Sequence, residues 1–267
     1  FPGIDHEIKF GAGAIWRSYN PGKEKSGLLR PVPSKSVREY VSYAGHSWDV
    51  SEKIKLEYGA RFNVFQTMGK DIEYLLDENR VVIDTLSLDK KQVLRQFHTL
   101  SPRFSLKYQL SDKTSLEASY NRNVQFQHEI RNATSPFNAF YVWLPSGINL
   151  PYGVSDQFTL GYQHILSKNF QLAIESYYKS LDNQIDYIDH ASIIQNNLIE
   201  QEIRIGKGRA YGFEIQLEKT DGRLTGWLQY TYARTLRKIE GINAGEEYPA
   251  FYDQPHAASL VANYALN

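Results

Sequence analysis

The chain has 267 residues, with 30 Lys plus Arg against 30 Asp plus Glu, and so a formal net charge of +0. Since this balance offers no electrostatic attraction to nucleic acid, we expect no nucleic-acid partner. The absence of Cys excludes disulfide scaffolds, Cys-ligated metal sites and Cys nucleophiles. The aromatic residues are mainly Tyr (19 Tyr, 13 Phe and 4 Trp), which combines an apolar ring with a polar end.

Alternation of apolar and polar residues predicts ten strands. In chain order they lie near residues 4–17, 37–48, 54–65, 98–110, 115–127, 156–166, 170–189, 203–219, 223–239 and 256–266. The pattern is clearest at 115–127, where five of the six even positions are apolar and none of the seven odd positions is. Such strands have one apolar and one polar face.

The connections between these strands alternate in length. Short polar turns fall at 49–53, 111–114, 167–169 and 220–223, and long irregular segments at about 18–36, 66–97, 128–155, 190–202 and 240–256. A soluble sandwich usually has strands of about five or six residues, and its turns are not sorted by length. Long strands with turns at one end and loops at the other are typical of an outer-membrane barrel, which has an apolar outside, a polar lumen and aromatic girdles. We therefore predict an all-β membrane β-barrel of antiparallel up-and-down strands.

One residue departs from this pattern. Arg122 lies on the apolar register of its strand, where a lipid-facing Arg could cost on the order of 2 kcal/mol. Either its side chain extends to the membrane surface, or a bulge shifts the register after Tyr120. Both explanations stay open at this point.

Four segments carry a resemblance to a known family. They are residues 43–62 (YAGHSWDVSEKIKLEYGARF), 100–122 (LSPRFSLKYQLSDKTSLEASYNR), 155–187 and 206–219 (GKGRAYGFEIQLEK). In this order they resemble the strand–turn–strand units of TonB-dependent outer-membrane receptors, with Gly59, Arg61 and Phe62 on the G-x-R-[FY] element. Where the family often has Asp, this chain has His46.

The resemblance implies a barrel of about 22 strands around a plugged lumen. Residues 1–267 would then be part of one transmembrane barrel domain, with the plug domain outside this sequence, although ten strands can also close by themselves. The implied location is the outer membrane, and the implied partners are its lipid and lipopolysaccharide, the plug domain of the same protein and the TonB complex. The implied function is energised uptake of an iron chelate, cobalamin, glycan or peptide, without catalysis or a cofactor.

Two groups of candidate functional residues follow. Charged residues expected to line the lumen are Arg61, Arg103, Lys107, Glu117, Glu175 and Glu214, which either contact the plug or form a solvated, salt-bridged wall. Aromatic residues of one long loop could stack on an external ligand or pack the loop against its neighbours, and these are Phe137, Phe140, Tyr141 and Trp143.

Two other functions stay as alternatives. A ten-stranded outer-membrane protease would use Asp and His at the outer rim, and the candidates are Asp156, Asp186, Asp189, His128, His164 and His190. A structural or adhesive barrel would need none of these residues. The seven His residues show no metal-ligand spacing, so we expect no metal site.

Overall fold

The structure, a computed structural model, describes residues 5–19, 34–69, 71–88, 92–131, 141–191, 196 and 198–266. Its strands are β1 (His6–Tyr19), β2 (Lys35–Ser51), β3 (Ile54–Met68), β4 (Asp71–Leu76), β5 (Val82–Leu88), β6 (Val93–Ser111), β7 (Thr114–Gln125), β8 (Gln127–Arg131), β9 (Tyr141–Pro145), β10 (Gly153–Ser167), β11 (Phe170–Tyr187), β12 (Ile203–Lys219), β13 (Leu224–Lys238), β14 (Tyr248–Pro249) and β15 (His256–Tyr264). Two short 3₁₀ helices, η1 (Ile199–Glu202) and η2 (Asn243–Gly245), complete the described elements. Within these ranges, no helix is long and apolar enough to cross a membrane.

Ten long strands form one antiparallel wall. Its order is β1-β2-β3-β6-β7-β10-β11-β12-β13, and β15 follows on the far side of β13, where the two-residue β14 also pairs. All ten strands predicted from the sequence are present, so the all-β antiparallel fold is confirmed. In the described part of the chain, β1 and β15 are the two edges and do not pair with each other, so the wall is not closed.

One face of the wall is apolar. A cross-strand row of six aromatic residues runs over neighbouring strands from β3 to β12, namely Tyr58, Phe104, Tyr120, Phe158, Tyr178 and Tyr211. Aliphatic side chains on the same face project freely, with Leu160 64% and Leu260 72% exposed. A monomeric soluble protein rarely exposes so continuous an apolar surface.

The short and long connections lie at opposite ends of the strands. Turns of two to four residues join β2 to β3, β6 to β7, β10 to β11 and β12 to β13. The other ends carry the long segments, which contain elements that the alternation did not predict: the hairpins β4–β5 and β8–β9, and η1. We call this second side the loop end of the wall.

The buried core is concentrated at the loop end. One apolar cluster contains Ile130, Leu144, Leu150, Ile185, Tyr187, Ile199 and Ile203. A second contains Val37, Phe65 and Phe126, with the rings of Phe65 and Phe126 stacked at 4.4 Å. Val37 and Phe65 lie on the register of the polar face, which therefore becomes apolar where the long segments cover it.

Candidate functional site

A single row of charged residues crosses the polar face. Lys107 pairs with Glu117, Glu117 with Gly161, Gly161 with Glu175, and Glu175 with Glu214. The register thus brings four of the six predicted lumen residues into one line over five neighbouring strands. Gly161, which has no side chain, separates Glu117 from Glu175. A cleft of about 280 Å³ opens over the acidic part of this row.

Like charges stand directly opposite each other at two places in this row. Glu175 faces Glu214, and on the other side Lys107 faces Lys55 of β3. Such cross-strand pairs are destabilising, roughly by the 0.2–1 kcal/mol that an opposite-charge pair would contribute. Glu214 accepts a hydrogen bond from Thr231 Oγ1 at 3.2 Å, which is no counter-charge. The wall itself therefore does not neutralise the acidic pair, whereas Lys55 lies 3.5 Å from Glu57 and Lys107 is opposite Glu117.

The remaining two predicted lumen residues lie in a neighbouring cleft of about 790 Å³. Arg61 approaches Glu39 at 3.5 Å and donates from Nε to Asn63 Oδ1 at 3.2 Å. Arg103 passes over Gly45, where a Cβ atom would lie 3.0 Å from its Nη2. All six predicted residues therefore share the polar face, and their role in lining a lumen stays a prediction.

Arg122 lies on the apolar face and is paired there. Its guanidinium donates from Nε and Nη2 to the two carboxylate oxygens of Asp156, both at 2.8 Å, and Tyr120 donates to the same carboxylate at 2.7 Å. The β7–β10 register is continuous from residue 114 to 125, so the bulge considered from the sequence is wrong. An ion pair with the adjacent strand accounts for a charge on this face, because it replaces a lone Arg by a neutral pair.

At the loop end, a buried polar cluster joins four segments of the chain. Lys35 Nζ of β2 donates to Glu200 of η1 and lies 3.6 Å from Glu73 of β4. Asn149 donates to Glu200 Oε2 at 2.6 Å and to Tyr74 O at 2.9 Å. Leu76 N donates to Asn149 Oδ1, and Arg80 Nη1 donates to Asn149 O. We call Lys35, Glu73, Asn149 and Glu200, together with the residues bonded to Asn149, the Lys35 cluster.

Burial and charge act in opposite directions in this cluster. Burial raises the pKa of Glu73 above its ordinary value, and the attraction of Lys35 offsets this only in part. Burial also disfavours the charged form of Glu200, but Lys35 and the Asn149 amide outweigh it and lower the pKa of Glu200. No sequence pattern predicts this cluster, because Lys35 and Glu200 are 165 positions apart and belong to no motif.

The predicted aromatic ligand site is described only in part. Phe137 and Phe140 lie outside the described residues, and for Tyr141 only the backbone is described, in β9 opposite Arg131. Trp143 is 43% exposed, so its indole is accessible from solution. Binding of a ligand by these aromatic residues stays a prediction.

The Asp and His residues considered for a protease have other partners. His128 Nε2 contacts Ser146 Oγ at 3.1 Å and Pro151 O at 2.9 Å, and burial lowers its pKa. Asp186 pairs with Arg237, Asp156 with Arg122, Asp189 with the Asn243 amide and His164 with Thr114. Over the described ranges, no hydrogen bond joins any of these Asp residues to any of these His residues. Nor is any group of three or more His, Asp or Glu residues there arranged to hold a metal ion.

The family of the chain follows from its match to a family model, which describes the β-barrel of TonB dependent receptor-like proteins and covers residues 2–267. The chain belongs to this family. A comparison with curated proteins found no match. Members of the family are outer-membrane receptors and transporters, in agreement with the resemblance noted in the sequence.

Three solved structures with the same fold are distant from this chain in sequence. The copper transporter OprC is 14% identical with a TM-score of 0.66, and the match covers 100% of this chain and 40% of that one. The ferric-catecholate import receptor Fiu from E. coli K12 is 13% identical with a TM-score of 0.62, and the match covers 98% of this chain and 40% of that one. The FrpB iron transporter from Neisseria meningitidis is 10% identical with a TM-score of 0.59, and the match covers 91% of this chain and 35% of that one. The chain thus spans well under half the length of these receptors.

Proposed function

We propose that this chain is part of the barrel of an outer-membrane TonB-dependent transporter, which imports an external solute past a plug domain of the same protein. The observation that carries the proposal is the two-faced wall. Its apolar face fits lipid and the acyl chains of lipopolysaccharide, and its polar face fits a lumen. The barrel then supplies passage and a binding surface, and no bond chemistry.

The charged row supports a plug as the occupant of the polar side. Glu175 and Glu214 need a cation, because these two like charges are adjacent in the wall and form no ion pair within the described residues. A polypeptide plug with basic groups facing β11–β12 would neutralise this pair. In this role the charged row is the docking surface of the plug.

A metal chelate is the solute that we favour. The similar proteins named above are a copper transporter, a ferric-catecholate import receptor and an iron transporter. Cobalamin, glycan and peptide ligands are the competing classes. The exposed indole of Trp143 is one described aromatic side chain at the loop end that a ligand could contact from outside.

Uptake by the full-length receptor tests the transport function. A strain deleted for the receptor and complemented with its gene should accumulate one labelled solute from a panel of ferric and cupric chelates, cobalamin, oligosaccharides and peptides. Accumulation should require TonB. If no solute is bound or accumulated, the transporter proposal fails and a structural or adhesive barrel takes its place.

Plug docking is tested by Glu175→Gln with Glu214→Gln in the full-length protein. Loss of both carboxylates should loosen the plug and increase the ionic conductance of the purified receptor in planar bilayers. The control is Glu57→Gln on the same face, because Glu57 has its own partners in the wall, Lys55 at 3.5 Å and Ser47 at 3.3 Å. Equal conductance of the double variant, the control and the wild type would contradict docking at this row.

A further inference from the structure

Two histidine rings meet on the apolar face of the wall, at the end where the short turns lie. His6 begins β1, and His46 is close to the turn that joins β2 to β3. His6 is opposite Trp48 in the β1–β2 register, so His46 is its diagonal neighbour on the same face. The ring atoms His6 Nδ1 and His46 Nε2 are 3.0 Å apart. Since the two residues are 40 positions apart, their spacing in the sequence does not reveal this pair.

Neighbouring aromatic rings fix the orientation of both imidazoles. The His6 ring is nearly parallel to those of His46 and Trp48, at interplanar angles of 11° and 20°, and the centroids are 5.2 and 5.4 Å away. His46 Nδ1 is 2.8 Å from the hydroxyl oxygen of Tyr58, whose ring meets the imidazole edge to face. Rings that are already held by such contacts lose less freedom when they bind a ligand, so the pair is preorganised.

The separation of the two nitrogen atoms matches that of two ligands on one metal ion. Metal–imidazole bonds of about 2.0–2.1 Å place neighbouring ligand nitrogens about 2.8–3.4 Å apart, from square-planar to tetrahedral angles. A metal-bound imidazole also donates its other N–H to an acceptor, which sets its tautomer. Tyr58 is suited to this role, because His46 has a free lone pair on Nε2 when its Nδ1 donates to the Tyr58 hydroxyl.

We propose that His6 and His46 bind one divalent transition-metal ion through His6 Nδ1 and His46 Nε2, with water in its remaining positions. The ion that we assign is Cu²⁺, because imidazole suits it and it binds nitrogen ligands more strongly than the other divalent ions of its row. The ion replaces the proton that lies between the two rings, and His6 then carries its proton on Nε2. This site does not depend on the transport function proposed above.

The position of the pair gives an ion access from water. Both imidazole rings are half-buried, and the residue before His6, Asp5, accepts a hydrogen bond from Asp49 N where the β1–β2 pairing ends. The short turns of an outer-membrane barrel lie on its periplasmic side, so the pair is at the inner boundary of the apolar face and not in the middle of the hydrocarbon. An ion that binds both rings links β1 to β2 and stabilises their pairing.

Titration of the full-length receptor with Cu²⁺ tests the site, in detergent and without a polyhistidine tag. The electron paramagnetic resonance spectrum of the wild type should contain one Cu²⁺ signal coupled to two imidazole nitrogens, which His6→Ala and His46→Ala both lose. Each of these variants should bind that ion at least tenfold more weakly, because a single ring lacks the second, tethered ligand. Tyr58→Phe should weaken binding about tenfold, since His46 loses the acceptor that orients it.

His256 provides the matched control. Its Nδ1 is 2.8 Å from the hydroxyl of Tyr230, it lies on the same apolar face, and its ring contacts are with Tyr230 and Tyr232. His256→Ala should therefore leave the two-nitrogen signal and its affinity unchanged. Equal spectra and affinities for the wild type, His6→Ala and His46→Ala would overturn the metal site, and the two rings would then form a hydrogen-bonded pair only.

A second measurement uses the wild type alone, so it stands even where a variant fails to fold. Saturating Cu²⁺ should slow hydrogen–deuterium exchange of the β1 amides bonded to β2 near His6 at least threefold, while β10 and β11 keep their rates. Exchange in β1 that does not respond to Cu²⁺ would overturn the link between the two strands. Neither measurement uses a transported solute, so a failure of the transport proposal would leave both results unchanged.

Discussion

The pair formed by Arg122 and Asp156 is an ionic contact on a surface otherwise suited to lipid. Both guanidinium–carboxylate distances are 2.8 Å, and the two residues are directly opposite in the β7–β10 register. In hydrocarbon, an ion pair is retained because its separate members are costly, and not because the pair itself stabilises strongly. The cost of removing one member should therefore exceed the cost of removing both.

We predict that Asp156→Ala destabilises the full-length protein by about 2 kcal/mol, because it leaves Arg122 unpaired on the apolar face. The double variant Arg122→Leu with Asp156→Leu should lose less than half of that, since no charge is left. Urea unfolding from lipid vesicles measures both values. If the double variant is the less stable of the two, the pair does more than neutralise Arg122.

Among the strands, β12 illustrates how closely neighbouring backbones approach in this wall. Gly212 is opposite Tyr177 and Ala233, and a Cβ atom there would lie 2.4 Å from Tyr232 O and 3.0 Å from Ala233 Cα. At Gly161 of β10, by contrast, the nearest atom to an added Cβ is Glu117 Cβ at 3.6 Å. The two glycines thus occupy the same face with different amounts of space.

We predict that Gly212→Ala destabilises the protein by about 1–3 kcal/mol, because the methyl group would collide with backbone atoms that cannot move independently. Gly161→Ala should be neutral or slightly stabilising, since it fills ordinary space and restricts the unfolded chain. The midpoints of thermal unfolding in detergent would measure both effects. Equal midpoints for the two variants would show that β12 and β13 can separate enough to accept the methyl group.

The extended elements differ in how far the sequence predicts them. The ten wall strands are long enough for alternation to repeat many times, so their existence and faces were predictable. The hairpins β4–β5 and β8–β9 have strands of five to seven residues, too short for the same signal among the Pro, Gly and charged residues of the loops. The bulge between Leu181 and Gln184, where Asn183 has φ of 55°, also carried no signal in the alternation.

The candidate sites also differ in how far the sequence predicts them. The six lumen residues share a face because parity along a strand fixes the side to which a side chain points. Their alignment into a row depends on register, which the turn lengths set and which alternation alone does not reveal. The Lys35 cluster depends on the path of three long segments through space, for which no local pattern exists.

For the whole molecule, the free edges of the wall are its most consequential feature. β1 bonds to β2 over 14 residue pairs and β15 bonds to β13 over nine, and in the described part of the chain the outer side of each strand has no partner strand. Unpaired edges in hydrocarbon leave backbone N–H and C=O groups without hydrogen bonds, at several kcal/mol each. We therefore expect a barrel that contains this wall to have further strands at both edges.

We predict that alternate amides of β1 and β15, those that point away from β2 and β13, are protected from hydrogen exchange in the full-length receptor and exposed in the isolated chain. Amides of β7 and β10, in the middle of the wall, should be protected in both and serve as the internal control. Exchange followed by NMR or mass spectrometry in matched detergent would compare the two proteins. Strong protection of β1 and β15 in the isolated monomer would mean that the ten strands close on themselves, in which case no further strands would be needed.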